Sequence, residues 1–248
     1  RVLRAAARGT AAVLVMGGLG AATLAGITAS SRTDVPGLST QDDGRWDYPK
    51  LSLPALPADA PRPYSDANSA EIHHADLRRL LLPAPAGATV DKKLDGGWVS
   101  TPQFVSEYAT NERADIGQAL RDSALRHIAA RGWTMPDGTS SRIYLLQFNS
   151  NAFALDFEYE FVSMDSVPAL TGEADSPQDE SWPTDTGVDN TNSFAFAEAK
   201  PYGKEQVRQA YVLAGDTVAL VVHSRPGTSG TERVPFHQTL ILQSQLLG

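Results

Sequence analysis

Cysteine is absent from all 248 positions, which excludes disulfides, thiolate metal sites and cysteine nucleophiles. Stability therefore has to come from an ordinary apolar core. Lysine is scarce too, with 5 against 16 arginines, and the chain as a whole is acidic, with a formal charge of −8. Long uncharged runs are equally rare. The one of note is Thr10 to Ala29, twenty residues, with Arg1, Arg4 and Arg8 just before it. Setting those arginines aside leaves 18 basic against 29 acidic residues, a formal charge of −11. That balance argues against nucleic acid and anionic lipid headgroups as direct partners.

What is present begins with that uncharged run. It has the length a helix needs to cross a hydrocarbon layer of ~30 Å. The preceding arginines predict a cytoplasmic N-terminus with everything after Ser31 outside. A cleaved export signal is the competing reading, with small residues at Thr28 to Ser30 where a peptidase could cut. Gly17, Ala21 and Ala25 recur every four positions, as do Gly18, Ala22 and Gly26. Two such ridges make a smooth face on a helix, suited to close packing against a neighbouring span. The sequence thus divides into a basic segment at 1–9, a transmembrane helix or signal peptide at 10–30, and a spacer at 31–65. Residues 66–248 follow as an extracytoplasmic domain. The spacer carries Pro36, Pro49, Pro54, Pro57, Pro61 and Pro63 and reads as extended and semi-rigid, with Trp46, Tyr48 and Leu51 able to dock parts of it on a surface.

In the domain, Ile72, Leu77, Leu80 and Leu81 follow a helix-like register closed by Pro83 and Pro85. Thr101 reads as a cap with Pro102 at the first helical position. Asp115 to Arg131, with Ile116, Leu120, Ala124, Leu125, Ile128 and Ala129, predicts a one-sided helix of about four turns. Pro136-Asp137-Gly138 and Gly215-Asp216 each separate two β-compatible runs and predict hairpins. FALDFEYEF fits either period and is read as helix, because Asn149 and Ser150 are good caps; VPFHQTLILQSQLLG suits a closing helix on a sheet. The expected fold class is α+β: an N-terminal transmembrane helix, then an antiparallel sheet packed with several helices, and a C-terminal helix. Residues 70 to 248 are expected to fold without the anchor.

RGWTMPDGTSSRIYLLQFNS, AYVLAGDTVALVVHSRPG and FHQTLILQSQLLG resemble exported or membrane-tethered actinobacterial proteins of PsbP/Mog1-like and kinase-sensor-like kind. The resemblance lies in the order of elements over roughly residues 70 to 248. It implies a binding or accessory domain, and the chain departs from the kinase-sensor type in lacking its disulfide cysteines.

Catalytic signatures are few. Asp185-Thr186-Gly187 matches an aspartic-protease tripeptide, but it occurs once and reads as a polar turn. Arg225 to Glu232 lacks the Walker lysine and reads as a connector. Glu173, Asp175, Asp179, Glu180, Asp185 and Asp189 form an acidic run that could hold a hard cation but lacks EF-hand spacing, so a solvated loop is the simpler reading. His73 and His74 are adjacent and diverge on a helix, without a zinc-type partner. The sequence therefore assigns no catalytic, cofactor or metal residue. The functional expectation is a membrane-anchored extracytoplasmic accessory or binding subunit engaging a larger envelope or membrane complex. The alternative is a tethered or secreted solute-binding domain or enzyme acting alone.

Overall fold

The computed structural model describes residues 43–162, 167–174, 176–183, 185–227 and 230–248. Trp46–Gly248 forms one compact unit. Its centre is a six-stranded antiparallel sheet ordered β1-β2-β3-β6-β5-β4. The strands are β1 (Thr89–Trp98), β2 (His127–Thr134), β3 (Ser140–Gln147), β4 (Asn192–Ala197), β5 (Glu205–Ala214) and β6 (Thr217–Pro226). Four short helices accompany them: α1 (Thr101–Val105), α2 (Arg113–Asp122), α3 (Asn151–Phe161) and α4 (Arg233–Leu247).

Period-two alternation splits the central strands between two cores. Tyr144 and Leu146 of β3, Val218, Leu220 and Val222 of β6, and Tyr211 of β5 face the side covered by α1, α2 and α3. Ile143, Leu145, Ala219, Val221, Ala210 and Val212 face the other side, beneath α4 and an extended N-terminal strap. Because both faces are covered, β3, β5 and β6 read as nearly continuous apolar runs. Each face buries apolar area worth roughly 25 cal/mol per Å² removed from water.

The architecture corrects the expectation of an anchored sheet packed with several helices. The domain is a six-stranded antiparallel sheet with few helices, and among the described residues no helix is long and apolar enough to cross a membrane. The span expected at 10–30, with Gly17, Gly18, Ala21, Ala22, Ala25 and Gly26, lies outside the described residues.

Two expected helices give way for identifiable reasons. Between Asp66 and Pro83 only Leu77–Arg79 is helical, as one 3-10 turn. Leu80, Leu81 and Leu82 are all buried, and three consecutive inward side chains do not fit one face of an α-helix. Nearby, the Asn68 carboxamide accepts from the Ile72 N–H and donates to the carbonyls of Arg62 and Ile72, giving the backbone a local alternative to a helical ladder. The helix expected over Asp115–Arg131 stops at Asp122, and Ala124 takes a left-handed φ of 53°. From His127 the period changes to two: Ile128 and Ala130 enter one core, Ala129 and Trp133 the other. In α1 the cap is Ser100, one residue before the expected Thr101.

The two outer strands had no clear sequence signal. In β1 only Leu94 is buried, while Asp91, Lys92, Lys93 and Asp95 are exposed and the register shifts between Val90 and Asp95. Charges and irregular pairing are what an edge strand needs to avoid adding a further strand.

The strap belongs to the folded unit. The Trp46 N–H donates to Gln238 Oε1 at 2.8 Å, and Gln238 Nε2 donates back to the Trp46 carbonyl at 2.9 Å. The Tyr48 hydroxyl lies 2.7 Å from Thr239 Oγ1, and its ring meets Trp133 edge-on. A fragment 46–248 should therefore melt in one transition. Starting at Asp66 removes Trp46, Tyr48 and Tyr64 and should cost about 3 kcal/mol or more. Equal urea midpoints for the two fragments would show that the strap lies on the domain without stabilising it.

Candidate functional site

The strap leaves a cleft beneath it; its hydrogen bonds lie at its ends, and between them Leu51 packs on the core. One end is the Trp46–Tyr48 anchorage. At the other, the Tyr64 hydroxyl donates to the Leu247 carbonyl at 3.2 Å and Asn68 Nδ2 to the Arg62 carbonyl at 3.1 Å. From Pro49 to Leu56 no hydrogen bond joins the strap to any described residue. A cavity of about 420 Å³ lies there, lined chiefly by Leu53, Leu56, Pro63, Leu80 and Leu246, with Arg62 as its charged lining residue. Its size falls in the range of small-ligand sites.

His73 forms part of the wall. Its Nδ1 is 2.7 Å from Asp216 Oδ1, and its Nε2 is 2.8 Å from the carbonyl oxygen of Leu247. A carbonyl only accepts, so Nε2 carries a proton. Asp216 has no solvent exposure. Its Oδ1 also accepts from the His73 N–H at 3.1 Å and from Thr217 Oγ1 at 3.0 Å, and its Oδ2 accepts from Gln147 Nε2 at 2.9 Å. The same Gln147 amide donates to the His73 carbonyl. The imidazole thus has no free nitrogen, and the group works as a latch between the His73 segment, β3, the β5–β6 turn and α4. Gly215 makes the turn possible. Its φ is 51°, and a Cβ there would collide with the Glu71 carbonyl.

On the other side of Leu53, Pro54 and Ala55 lies a second cleft, of about 360 Å³, whose charged lining residues are Lys50, Arg78, Arg79 and Arg131. Arg78 forms a bidentate pair with Asp76 (3.0 and 2.7 Å) and lies over the Trp98 ring. Arg131 donates to the Leu81 and Leu82 carbonyls at 3.0 and 3.2 Å, and burial pulls its pKa below the usual guanidinium value. A Cβ at Gly96 would collide with that guanidinium. The Lys50 and Arg79 side chains make no hydrogen bond or close ion pair with a described residue, although the Arg79 charge is felt by the Asp76 carboxylate. Sequence reasoning missed this cluster because its members are spread over some eighty positions; the LRRL run at Leu77–Leu80 was the only local signal.

The sequence candidates fall elsewhere. Among the described residues no three His, Asp or Glu side chains are grouped to hold a metal ion. Glu173 accepts from the Leu170 N–H and from Gln209 Nε2, and burial raises its pKa. Asp179 pairs with Arg208 at 2.9 Å and with His237 at 3.0 Å. Asp185 accepts from the Gly187 N–H at 2.8 Å, the polar turn expected of Asp185-Thr186-Gly187. Asp175 lies outside the described residues. A third, open cleft of about 500 Å³ contains Glu107, whose two carboxylate oxygens are taken by Arg142 Nε (2.9 Å) and the Tyr144 hydroxyl (2.6 Å).

No family model matches the chain, and no curated protein matches it in sequence.

One titratable group is buried beneath the strap without a polar partner. His223 has no solvent exposure, neither ring nitrogen hydrogen-bonds to a described residue, and Trp46 stacks on the ring at 5.0 Å. Burial, together with the charges of Arg142 and Arg208, holds its pKa down at about 3, against an ordinary 6.5. The folded state therefore keeps His223 neutral while the unfolded chain protonates below pH 6.5, so stability falls as pH drops from 6.5 towards 3. Between pH 6.5 and 5 this one group should remove about 1.5 kcal/mol from the urea unfolding free energy. His223→Leu should lack that loss; an unchanged pH slope in the variant would rule out His223 as its source.

Proposed function

We propose that the chain is an extracytoplasmic binding module whose domain takes an apolar ligand in the strap cavity. One observation carries this reading. The cavity is mainly apolar, with Arg62 its charged lining side chain, it lies under the part of the strap that makes no hydrogen bonds, and its one histidine has an acceptor on each nitrogen. Capture by dispersion and burial is what such a wall can provide, while proton transfer would require breaking the latch. Placement outside the cytoplasm is supported by the arginines and the uncharged run at the N-terminus. Of the two readings opened by the sequence, the cavity favours a solute-binding domain. An accessory role within an envelope complex is supported by α3, which presents Phe153, Leu155 and Tyr159 to solvent.

The test uses the full chain and the neutral apolar fluorophore N-phenyl-1-naphthylamine. Wild type should bind it saturably. Ala75→Trp, which places an indole in the cavity from a lining position, should reduce the affinity at least about tenfold while keeping the same thermal midpoint within a few degrees. Equal binding by both proteins would place the probe outside the cavity and overturn the reading.

A further inference from the structure

The cavity and the cationic cleft meet at the same short stretch of strap. Leu53, Pro54, Ala55 and Leu246 line both. Their chemistry differs: the first is mainly apolar, with Arg62 its charged lining side chain, and the second gathers four cationic side chains with no carboxylate among its lining residues, in a chain of formal charge −8. Clustering like charges costs energy unless something of opposite sign offsets it. Here two of the four are already engaged, Arg78 by Asp76 and Arg131 by the Leu81 and Leu82 carbonyls. Lys50 and Arg79 are left to act on a ligand.

Leu53 marks the junction. It is an apolar side chain 65% exposed, on a segment with no hydrogen bond to a described residue. An apolar tail passing beneath it would bury that surface. A simple inorganic anion would leave the cavity unused, and a purely apolar solute would leave Lys50 without a direct ionic partner and Arg79 with only the Asp76 carboxylate that Arg78 already holds.

Resting on the cavity reading above, we propose that the strap cleft binds a single-chain amphiphilic anion, its alkyl tail in the cavity under Leu53 and its anionic head between Lys50 and Arg79. The head is a carboxylate, as in a free fatty acid, or a phosphate monoester, as in a lysolipid; both offer acceptor oxygens to the two cations. Arg131, already bonded to two carbonyls, adds positive potential at the rim of the head site. The entrance lies beside Leu53, between the strap's anchored ends at Trp46 and Tyr64.

The experiment is displacement of N-phenyl-1-naphthylamine from the full chain by dodecanoate, dodecyl phosphate and dodecanol, each below its micelle-forming concentration. Either anion should displace the probe at about tenfold lower concentration than the alcohol, since hydrogen bonds to charged groups contribute on the order of 1.5 kcal/mol. The preferred anion identifies the source as fatty acid or lysolipid. The preference should shrink as salt rises. In Lys50→Gln with Arg79→Gln the anion-to-alcohol ratio should fall to about one, whereas Lys204→Gln with Arg233→Gln, the same charge change elsewhere, should leave it. Equal displacement by anion and alcohol in wild type, or an unchanged ratio in the Lys50/Arg79 variant, would overturn the proposal while leaving the apolar cavity reading intact. Absence of saturable probe binding would defeat that reading instead, and with it the inference.

Discussion

The contact between the His73 imidazole and the Asp216 carboxylate is the constraint on which the binding end of this domain depends. Both groups are buried, and each is bonded on every side: Asp216 by Thr217, Gln147 and the His73 N–H, His73 by the Leu247 carbonyl. Leaving a buried polar group unpaired costs on the order of 1–3 kcal/mol, and here each is paired. What the pair joins matters more than its net energy. Asp216 sits in the β5–β6 turn, Gln147 ends β3, Leu247 ends α4, and His73 begins the segment that leads into Leu77–Leu82. One cluster thus fixes four separate pieces of chain around the cavity wall.

The same polar accounting explains why the Leu80–Leu82 segment can run extended without a strand partner. Leu80 and Leu82 present main-chain groups to Gln243, which donates to one carbonyl and accepts from one N–H. Arg131 covers the next two carbonyls. Long polar side chains from α4 and β2 do for this segment what a helical ladder would have done internally. The backbone is free to insert three leucines in succession into the core, and it emerges as a wall of the cleft.

Much of the sheet was legible in sequence. The run AYVLAGDTVALVV alternates between two apolar faces around Gly215-Asp216, and the Pro136-Asp137-Gly138 turn joins β2 to β3. The helices starting near Thr101, Asp115, Asn151 and Arg233 were legible too, but the segment before Pro83 was not, because leucine spacing at Leu77, Leu80 and Leu81 is compatible with a helix until Leu82 is seen to be buried as well. β1 was invisible for the opposite reason: a charged edge strand with one buried side chain in ten carries almost no period. The site was hidden by distance along the chain. His73 and Asp216 are 143 positions apart, and neither has a neighbour in sequence that marks it as paired.

The most direct test is a double-mutant cycle of His73→Gln and Asp216→Asn, read by urea unfolding at pH 7. Each single change leaves a buried group without its partner, so each should cost about 3 kcal/mol or more. If the pair is the latch that builds the cavity wall, the double variant should lose markedly less than the sum of the two, with a coupling energy of about 2 kcal/mol. Strictly additive losses would mean that the two residues stabilise the fold independently rather than as one latch.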